Sequence, residues 1–382
     1  MFRLILICAC SIVTIFRANV LADTTGAPLA DIRHVFIIVL ENESFDRTFG
    51  PASLAPYLAN ELAPQGALLN HYYGIGHFSL DNYIAMISGQ APNPATQSDC
   101  HSYVDFVVSG IDADGQAVGQ GCIYPPEIKT IADQLQSAGL NWKAYMEDLG
   151  NDPLRENSTC GQPKLGTHGE DLTQKATPDD QYAARHNPFV YFHSIVDKPV
   201  CASAVVNLAV LKDDLRLAAT TPNYVFITPN LCHDGHDGGR PGKKCAGDKE
   251  PGGLASADAF LRQLVPQILA APAFQADGLL IITFDEAERD DTSACCDERP
   301  GPNIGVGQTV FGVPDQSPGI RGMGGGRIGA VLISRFIKPG TISNEPYNHY
   351  SLLRTIETIF GLPYLGYAGQ PGQKNFGAEI FR

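Results

Sequence analysis

Residues 32–46 read I-R-H-V-F-I-I-V-L-E-N-E-S-F-D, and this stretch decides the expected fold. Residues 35–40 form an unbroken apolar run rich in β-branched side chains, which is typical of a strand buried on both faces of a parallel sheet. Glu41 and Asn42 follow directly at its carboxyl end. Ligands bind at that edge of an open α/β sheet, so a carboxylate beside an amide predicts a site for a hard cation. A polar loop leaving a core strand is the alternative interpretation.

Two further apolar runs end in polar side chains in the same way. The run at residues 223–228 leads into groups that bind metals or phosphate or carry protons, namely His233, Asp234, His236 and Asp237. The run at residues 279–284 is followed by Asp285 and Glu286, whose mutual repulsion a cation would relieve. Solvated loops would explain each segment alone, but three strands that end alike favour one shared site.

Ser79 lies where residues 70–82 turn from a loop into a predicted helix that ends at Gly89. A serine in the first helical turn has two interpretations. It is an N-cap, or it is a nucleophile whose phosphoryl adduct the free N–H groups and the helix dipole would stabilise. His77 and Asn82 flank it with groups able to donate hydrogen bonds to phosphate oxygens.

The alternation of apolar runs with amphipathic segments predicts an α/β fold, a three-layer α/β/α sandwich around a mainly parallel sheet. We expect one domain over residues 23–382. A predicted helix at residues 352–360 follows His349, and a nearby anion at that helix start would favour the protonated imidazole. A purely structural histidine is the alternative.

Composition and the first residues bear on location and partners. Residues 1–22 combine a short basic start, an apolar middle and a Val20-x-Ala22 ending, which predicts a cleaved signal peptide and a secreted or periplasmic protein. No other segment is suited to span a membrane, so we expect no integral membrane anchor. The net charge of −14 disfavours nucleic acid as a partner but leaves a phosphorylated small substrate open.

Eight of the ten cysteines follow the predicted signal peptide, and an even count in an exported chain predicts disulfides. Two pairs would each close a short loop: Cys100 with Cys122, and Cys232 with Cys245. The adjacent Cys295 and Cys296 are expected to pair with different partners. The full connectivity stays open.

Seven motifs in chain order resemble the phosphoesterase family of bacterial phospholipases C and acid phosphatases. They are E-N-E-S-F-D at 41–46, H-F-S-L-D-N-Y at 77–83, W-K-A-Y-M-E at 142–147, R-H-N-P-F-V at 185–190, N-L-C-H-D-G-H-D at 230–237, T-F-D-E at 283–286 and Y-N-H-Y-S-L-L-R-T-I-E at 347–357. Each motif alone is weak, but their order over residues 33–362 is specific. One departure is E-A-E-R-D at 286–290, where the larger phospholipases have E-H-G-G and so a further histidine ligand.

The resemblance implies an alkaline-phosphatase-like fold and a phosphoserine intermediate on Ser79. It assigns binding of a divalent metal ion, with Ca, Mg, Mn or Zn as candidates, to Glu41, Asn42, Asp285 and Glu286. It assigns holding or protonation of the phosphoryl group to His77, Asn82, Asp234, His236 and His349. The favoured general acid, which protonates the leaving group, is His349 or His236.

These features favour an acid-phosphatase-like phosphomonoesterase acting on a phosphorylated small molecule. A phospholipase C-type phosphodiesterase acting on a phospholipid is the alternative within the family. A catalytically inactive metal-dependent binding protein and a serine acyl hydrolase are alternatives of other classes, although no G-x-S-x-G motif is present.

Overall fold

The computed structural model describes residues 29–166, 171–239, 244–248, 250–299, 301–304, 309–310, 313–314 and 324–382. The predicted signal peptide, residues 1–22, lies outside the described residues. Within them, no helix is long and apolar enough to cross a membrane.

An eight-stranded sheet forms the centre of the fold. Its strands are β1 (His34–Leu40), β2 (Ala67–Leu69), β3 (Trp142–Met146), β4 (Val205–Asn207), β5 (Tyr224–Thr228), β6 (Gly278–Phe284), β7 (Ala330–Ser334) and β8 (Thr341–Ser343). Their spatial order is β8-β2-β7-β6-β1-β5-β3-β4. Strand β7 is antiparallel to both neighbours, whereas every other pairing is parallel. The predicted mainly parallel sheet is therefore confirmed.

Helices cover both faces of this sheet. The α-helices are α1 (Phe45–Phe49), α2 (Ser79–Ser88), α3 (Ile131–Ser137), α4 (His193–Val196), α5 (Pro199–Ala204), α6 (Leu211–Asp214), α7 (Gly253–Ala270), α8 (Pro272–Asp277) and α9 (His349–Phe360). Phe226 lies opposite Ile37 in the parallel register and contacts Tyr83 of α2. Phe36, one residue earlier on β1, contacts Phe274 of α8. Because successive strand residues point to opposite faces, α2 and α8 cover different faces, as a three-layer sandwich requires.

The register of the central strands brings the predicted site residues together. Strand β1 pairs with β6 from His34 opposite Gly278 to Leu40 opposite Phe284. Residues 35–40 are fully buried because neighbours cover both edges and both faces of β1. Glu41 and Asp285 therefore emerge side by side at one edge of the sheet. Strand β5, on the other side of β1, sends its following loop to the same edge.

Short two-stranded ribbons complete the described strands. They pair Tyr72–Tyr73 with Tyr347–Asn348, Val107–Ile111 with Ala117–Gln120, and Thr309–Val310 with Val313–Pro314.

Four disulfides join the eight cysteines that follow the predicted signal peptide. They are Cys100–Cys122, Cys160–Cys201, Cys232–Cys245 and Cys295–Cys296. The two predicted short loops are confirmed. The expectation that Cys295 and Cys296 pair with different partners is wrong, since these adjacent residues pair with each other.

Helix α9 carries a buried carboxyl group away from the sheet edge. Glu357 is fully buried and its Oε1 accepts the Leu365 N–H at 2.9 Å. Burial raises the pKa of Glu357 to about 9. The folded protein therefore retains a proton on this group at pH values where an unfolded chain has released it.

We expect the free energy of unfolding to fall as pH rises from about 5 to about 9, with a contribution from Glu357 of up to about 1.4 kcal/mol per pH unit. The sign follows because the folded state binds more protons than the unfolded state in this window. Glu357→Gln should flatten this slope in denaturant titrations. The exposed Glu127→Gln should leave it unchanged, and an unaltered slope in Glu357→Gln would contradict the assignment.

Candidate active site

Ser79 is the first residue of α2, and its side chain does not cap the helix. Phe78 has the extended N-cap conformation, with φ −141° and ψ 134°, and makes no side-chain cap hydrogen bond. The Ser79 hydroxyl instead donates to Glu41 Oε2 at 2.6 Å. The N-cap interpretation of Ser79 is therefore wrong. Its oxygen lies at a helix N-terminus, next to a carboxylate able to accept its proton.

Close backbone packing brings the loop before α2 to the sheet edge. A Cβ atom added at Gly74 would lie 2.7 Å from the carbonyl oxygen of Asp285. One added at Gly76 would lie 2.6 Å from the Asp81 carboxylate. A side chain at Gly74 would push the loop away from the strand end, and one at Gly76 would clash with the Asp81 side chain of α2.

Glu41 is the centre of the polar contacts at this edge. Its Oε1 accepts the Tyr83 hydroxyl at 2.7 Å, and its Oε2 also accepts the Asn42 side-chain amide at 2.9 Å. The Asn42 backbone N–H donates to Asp285 Oδ1 at 3.0 Å. Asn42 has a φ of 57°, a left-handed conformation that asparagine adopts more readily than most residues. The predicted residues Glu41, Asn42 and Asp285 thus form one contiguous group.

Four carboxyl groups lie buried around this centre: Glu41, Asp234, Asp285 and Glu286. Burial is the largest cause that raises the pKa of each of them. The charge of Glu41 raises the pKa of Asp285 further. Such a group is stable only with protons or a cation between its members.

The donor set fits a divalent cation. Asp234 Oδ2 and Asp285 Oδ2 are buried oxygens without a hydrogen-bond partner among the described residues. Clustered carboxylate oxygens with an adjacent amide suit Mg²⁺, Mn²⁺ or Ca²⁺. Glu41 and Asp285 influence each other directly, whereas Glu286 accepts the Asn82 amide at 3.0 Å. Among the described residues, no three of these carboxylates place ligand atoms within 4.8 Å of one another.

His186 is a site residue that the sequence interpretation did not assign. Its Nε2 lies 3.4 Å from Glu41 Oε1 and its Nδ1 lies 3.6 Å from Asp234 Oδ2. The ring stacks on Tyr83, with 5.4 Å between centroids. Burial lowers the pKa of His186 well below its ordinary range, with Arg185 adding to the effect. A neutral imidazole thus joins the carboxylate group as a possible nitrogen ligand. No local pattern marks it, although R-H-N-P-F-V contains it.

A second cluster of metal-ligand types does not resemble a metal site. Cys232, His233 and Glu250 place ligand atoms within 4.8 Å of one another. Cys232, however, is joined to Cys245. His233 lies between Glu147 at 2.9 Å and Glu250 at 3.0 Å. Burial opposes protonation, but these two partners outweigh it and raise the pKa of His233 to about 9. His233 is therefore a charged residue that holds its loop in place through ion pairs with Glu147 and Glu250.

A cavity of about 870 Å³ opens at the sheet edge. Five of the predicted site residues line it: Asn42, His77, Ser79, His236 and Glu286. Glu41, Asp234 and Asp285 lie buried behind this surface. Arg185 and Asp99, neither of which the sequence interpretation singled out, also line the cavity. The cavity exceeds a phosphate group in size and so has room for an attached alcohol.

Asn82 holds the loop before α2 and has no polar atom left for a ligand. Its Oδ1 accepts the N–H groups of Ile75 and Gly76 at 2.7 and 3.2 Å. Its amide donates to Gly76 O, Phe78 O and Glu286, each at 3.0 Å. The expectation that Asn82 binds the phosphoryl group conflicts with this geometry, which makes it a positioning residue.

His349 is also placed away from the cavity. Its Nε2 donates to the backbone oxygen of Asp285 at 2.6 Å, so its Nδ1 accepts the Tyr72 hydroxyl at 3.0 Å. Burial lowers the pKa of His349 to about 4. A neutral ring with both nitrogens engaged cannot protonate a leaving group. The expectation of a catalytic His349 conflicts with this geometry, and His236 is the histidine of the favoured pair that lines the cavity.

His77 lines the cavity, and one of its ring nitrogens is engaged. Its Nε2 donates to the Asp291 backbone oxygen at 2.8 Å, which leaves Nδ1 without a partner among the described residues. Burial lowers the pKa of His77. In its neutral form this nitrogen accepts a proton, and it becomes a donor to phosphate once protonated.

Comparison with solved structures agrees with the fold. A protein of the alkaline phosphatase superfamily from Vibrio parahaemolyticus matches with a TM-score of 0.50 at 16% identity, over 93% of this chain and 74% of that chain. The fold is therefore alkaline-phosphatase-like.

The sequence profile of the Phosphoesterase family matches residues 52–363, and the chain belongs to this family. Glu41 and Asn42 lie before the matched segment.

Curated relatives are named as phosphatases. A probable acid phosphatase of Kluyveromyces lactis is 25% identical over 91% of this chain and 62% of its own length. A phosphate-repressible acid phosphatase of Penicillium chrysogenum is 27% identical over 86% of this chain and 59% of its own length. The chain thus spans about three fifths of these fungal proteins. A phosphatidylinositol-3-phosphatase of Mycobacterium tuberculosis is 25% identical over 94% of this chain and 90% of its own length.

Asn82 and Ser79 should differ sharply when each is changed to alanine. We expect Asn82→Ala to lower the free energy of unfolding by about 3 kcal/mol or more, because it leaves several buried backbone groups without partners. Ser79→Ala removes one hydrogen bond and should cost about 1 kcal/mol. Urea titrations measure both. Equal losses of unfolding free energy in the two variants would contradict the assignment of Asn82 as a positioning residue and Ser79 as the reacting one.

Proposed function

We propose that this chain is a divalent-cation-dependent phosphatase that hydrolyses phosphate monoesters through a phosphoserine at Ser79. The observation that carries the proposal is the position of the Ser79 hydroxyl. It lies at the start of α2, on the cavity wall, 2.6 Å from a carboxylate oxygen of Glu41. The names of the relatives support the choice of a monoester.

The first half of the reaction uses groups already in place. Glu41 Oε2 takes the hydroxyl proton as Ser79 Oγ attacks phosphorus, and the bond from phosphorus to the ester oxygen breaks. His236 gives its proton to the departing oxygen, which leaves as an alcohol. The N–H groups at the start of α2 and the Arg185 guanidinium stabilise the charge on the transferred group.

The second half reverses these proton movements. A water molecule gives a proton to His236 and attacks phosphorus, and the bond to Ser79 Oγ breaks. The proton held by Glu41 returns to Oγ, and phosphate leaves.

Glu41, Asn42, Asp285 and Glu286 would hold the cation. We add Asp234 to this set because its Oδ2 has no hydrogen-bond partner among the described residues. The bound ion would supply positive charge that lowers the pKa of the attacking hydroxyl and offsets charge on the transferred group.

We infer that the protein is exported. Four disulfides within the described residues suit an oxidising compartment, and the predicted signal peptide would direct the chain there.

Ser79→Ala should abolish release of nitrophenol from nitrophenyl phosphate, while the mutant protein stays folded. Brief reaction of the wild type followed by acid quenching should leave one phosphoryl group on the peptide that contains Ser79, detected by mass spectrometry. Ser88→Ala is the matched control, since Ser88 is buried at the other end of α2 and should keep full activity. Ordinary turnover by Ser79→Ala would exclude the proposed nucleophile.

The same assay separates the alternatives. Preference for bis-nitrophenyl phosphate over the monoester would indicate a phosphodiesterase of the phospholipase C type. Hydrolysis of neither ester with any divalent cation would leave a binding protein. Cleavage of carboxylic esters that resists chelation would indicate a serine acyl hydrolase.

Asp285→Asn should have opposite effects with and without a divalent cation. Without the cation we expect it to stabilise the protein at neutral pH, because it removes a buried carboxyl group that repels Glu41. At a cation concentration about 100 times the Kd, the wild type should gain about 2.7 kcal/mol in free energy of unfolding, and the mutant should lose most of this gain. Thermal and urea denaturation measure both effects.

Glu357→Gln controls for removal of a buried acid elsewhere and should retain the full cation response. A cation response in Asp285→Asn equal to that of the wild type would exclude the proposed ligand set.

A further inference from the structure

The first turn of α2 receives its cap from a residue far away in sequence. The Leu80 N–H, next to Ser79, donates to Asp99 Oδ1 at 3.1 Å. Asp99 lines the same cavity as Ser79. The Asp99 carboxylate thus accepts a hydrogen bond from a backbone N–H at the helix N-terminus, and free N–H groups at that end of a helix bind anions.

The other oxygen of Asp99 faces Arg185. Arg185 Nε lies 4.0 Å from Asp99 Oδ2, and Nη1 donates to Gln174 O at 3.5 Å. Only 8% of Arg185 is exposed, although a guanidinium carries five N–H donors. These long contacts leave most of its donor capacity for an anion in the cavity that it lines.

The backbone around Asp99 is held in an unfavourable conformation. Asp99 has a φ of 52° and Cys100 a φ of 47°, two successive left-handed residues, each of which costs about 1–3 kcal/mol. The Asp99 N–H donates to Thr96 O at 3.1 Å, and Gln174 Nε2 donates to Asp99 O at 3.2 Å. The disulfide Cys100–Cys122 anchors the next residue. The fold therefore fixes this carboxylate at the cavity wall.

We propose that Asp99 is an internal competitor of the phosphoryl group, which occupies the Leu80 N–H, offsets the charge of Arg185 and gives up both interactions by taking up a proton when an anion binds. The proposal rests on the proposed function for the place of the phosphoryl group beside Ser79. It adds a residue that couples anion binding to proton uptake. It gives the site an affinity for phosphate groups that falls as pH rises.

The charges around Asp99 agree with this coupling. Burial raises the pKa of Asp99, and Arg185 is the main influence that opposes the rise. The charged and titratable groups that face it are Arg185, His101, His236, Asp81, Glu286 and Tyr191. As pH rises through the pKa of Asp99, its carboxylate gains the charge that repels an anion from Arg185. Because several charged groups surround Asp99, a variant of Asp99 itself is needed to separate its contribution from theirs.

Asp99→Asn is the matched variant. Asparagine tolerates the left-handed conformation, and its side-chain oxygen still accepts the Leu80 N–H, but it carries no charge. Sulfate is the probe, because it stays a dianion over the pH range and is not hydrolysed. Calorimetry of sulfate binding to the Mg²⁺-loaded protein, from about pH 4.5 to about pH 7.5 in buffers of different ionisation enthalpy, gives the affinity and the protons taken up.

We expect Asp99→Asn to bind sulfate about tenfold more tightly than the wild type at the upper pH, with the two affinities converging at the lower pH. The mutant should take up fewer protons, by up to about one per sulfate. Asp105→Asn, on the same loop but exposed and outside the cavity, should behave as the wild type.

Equal or weaker sulfate binding by Asp99→Asn at every pH would overturn the proposal, and so would an absence of sulfate binding to both proteins. The measurement involves no turnover. Its failure is therefore distinct from a failure of the phosphatase assay, which tests Ser79.

Discussion

Parallel pairing of β1 with β6 imposes an electrostatic constraint on the whole molecule. The register that puts Leu40 opposite Phe284 also puts Glu41 beside Asp285, where both are fully buried. Two carboxyl groups in that position do not both ionise without a compensating charge. Hydrogen bonds from Ser79, Tyr83 and Asn42 stabilise the Glu41 carboxylate. The site is thus organised around two buried carboxyl groups that the strand pairing brings together.

The same acidic centre also holds helix α2 in place. Its first residue donates to Glu41, and Tyr83, one turn later on the same face, donates to the other oxygen of that carboxylate. Asn82 fastens the preceding loop to both the helix and Glu286. The serine oxygen, the helix N-terminus and the acidic centre therefore have a fixed geometry before any ligand arrives. Such preorganisation is what transfer of a charged group requires.

Sequence patterns predicted those parts of the site that follow directly from strands. A buried strand has a periodic signal and its carboxyl end is defined, so Glu41, Asp285 and Glu286 were found with the sheet. Arg185, His186 and Asp99 have no such signal, because they lie in or next to 3-10 helices too short to show a hydrophobic period. For His349, the sequence predicted the position at a helix start but not the role. Its contacts with Asp285 O and Tyr72 depend on tertiary packing, which no local pattern reveals.

Disulfide pairing could be predicted only in part from the sequence. Short loops closed by Cys100–Cys122 and Cys232–Cys245 follow from spacing, since nearby cysteines meet at little cost in chain entropy. Cys295 and Cys296 have no loop to close, and their mutual bond depends on local backbone conformation. Cys296 has a φ of 69°, a left-handed conformation that a cysteine in the sequence does not predict. Local conformation of this kind is settled by the whole fold and not by the segment.

A strongly acidic protein needs positive charge concentrated at one site if it is to bind an anion, as we propose for this chain. The described cavity has Arg185 and the N-terminus of α2 for this purpose, and both are in contact with Asp99. Were Arg185 left without an acid, it would be a buried charge lacking compensation, which destabilises a fold. Were its partner a tight salt bridge, the guanidinium would have no donors left for a ligand. The 4.0 Å separation between Arg185 Nε and Asp99 Oδ2 satisfies both demands, because it balances the charge and leaves most of the hydrogen-bond donors of Arg185 for an anion.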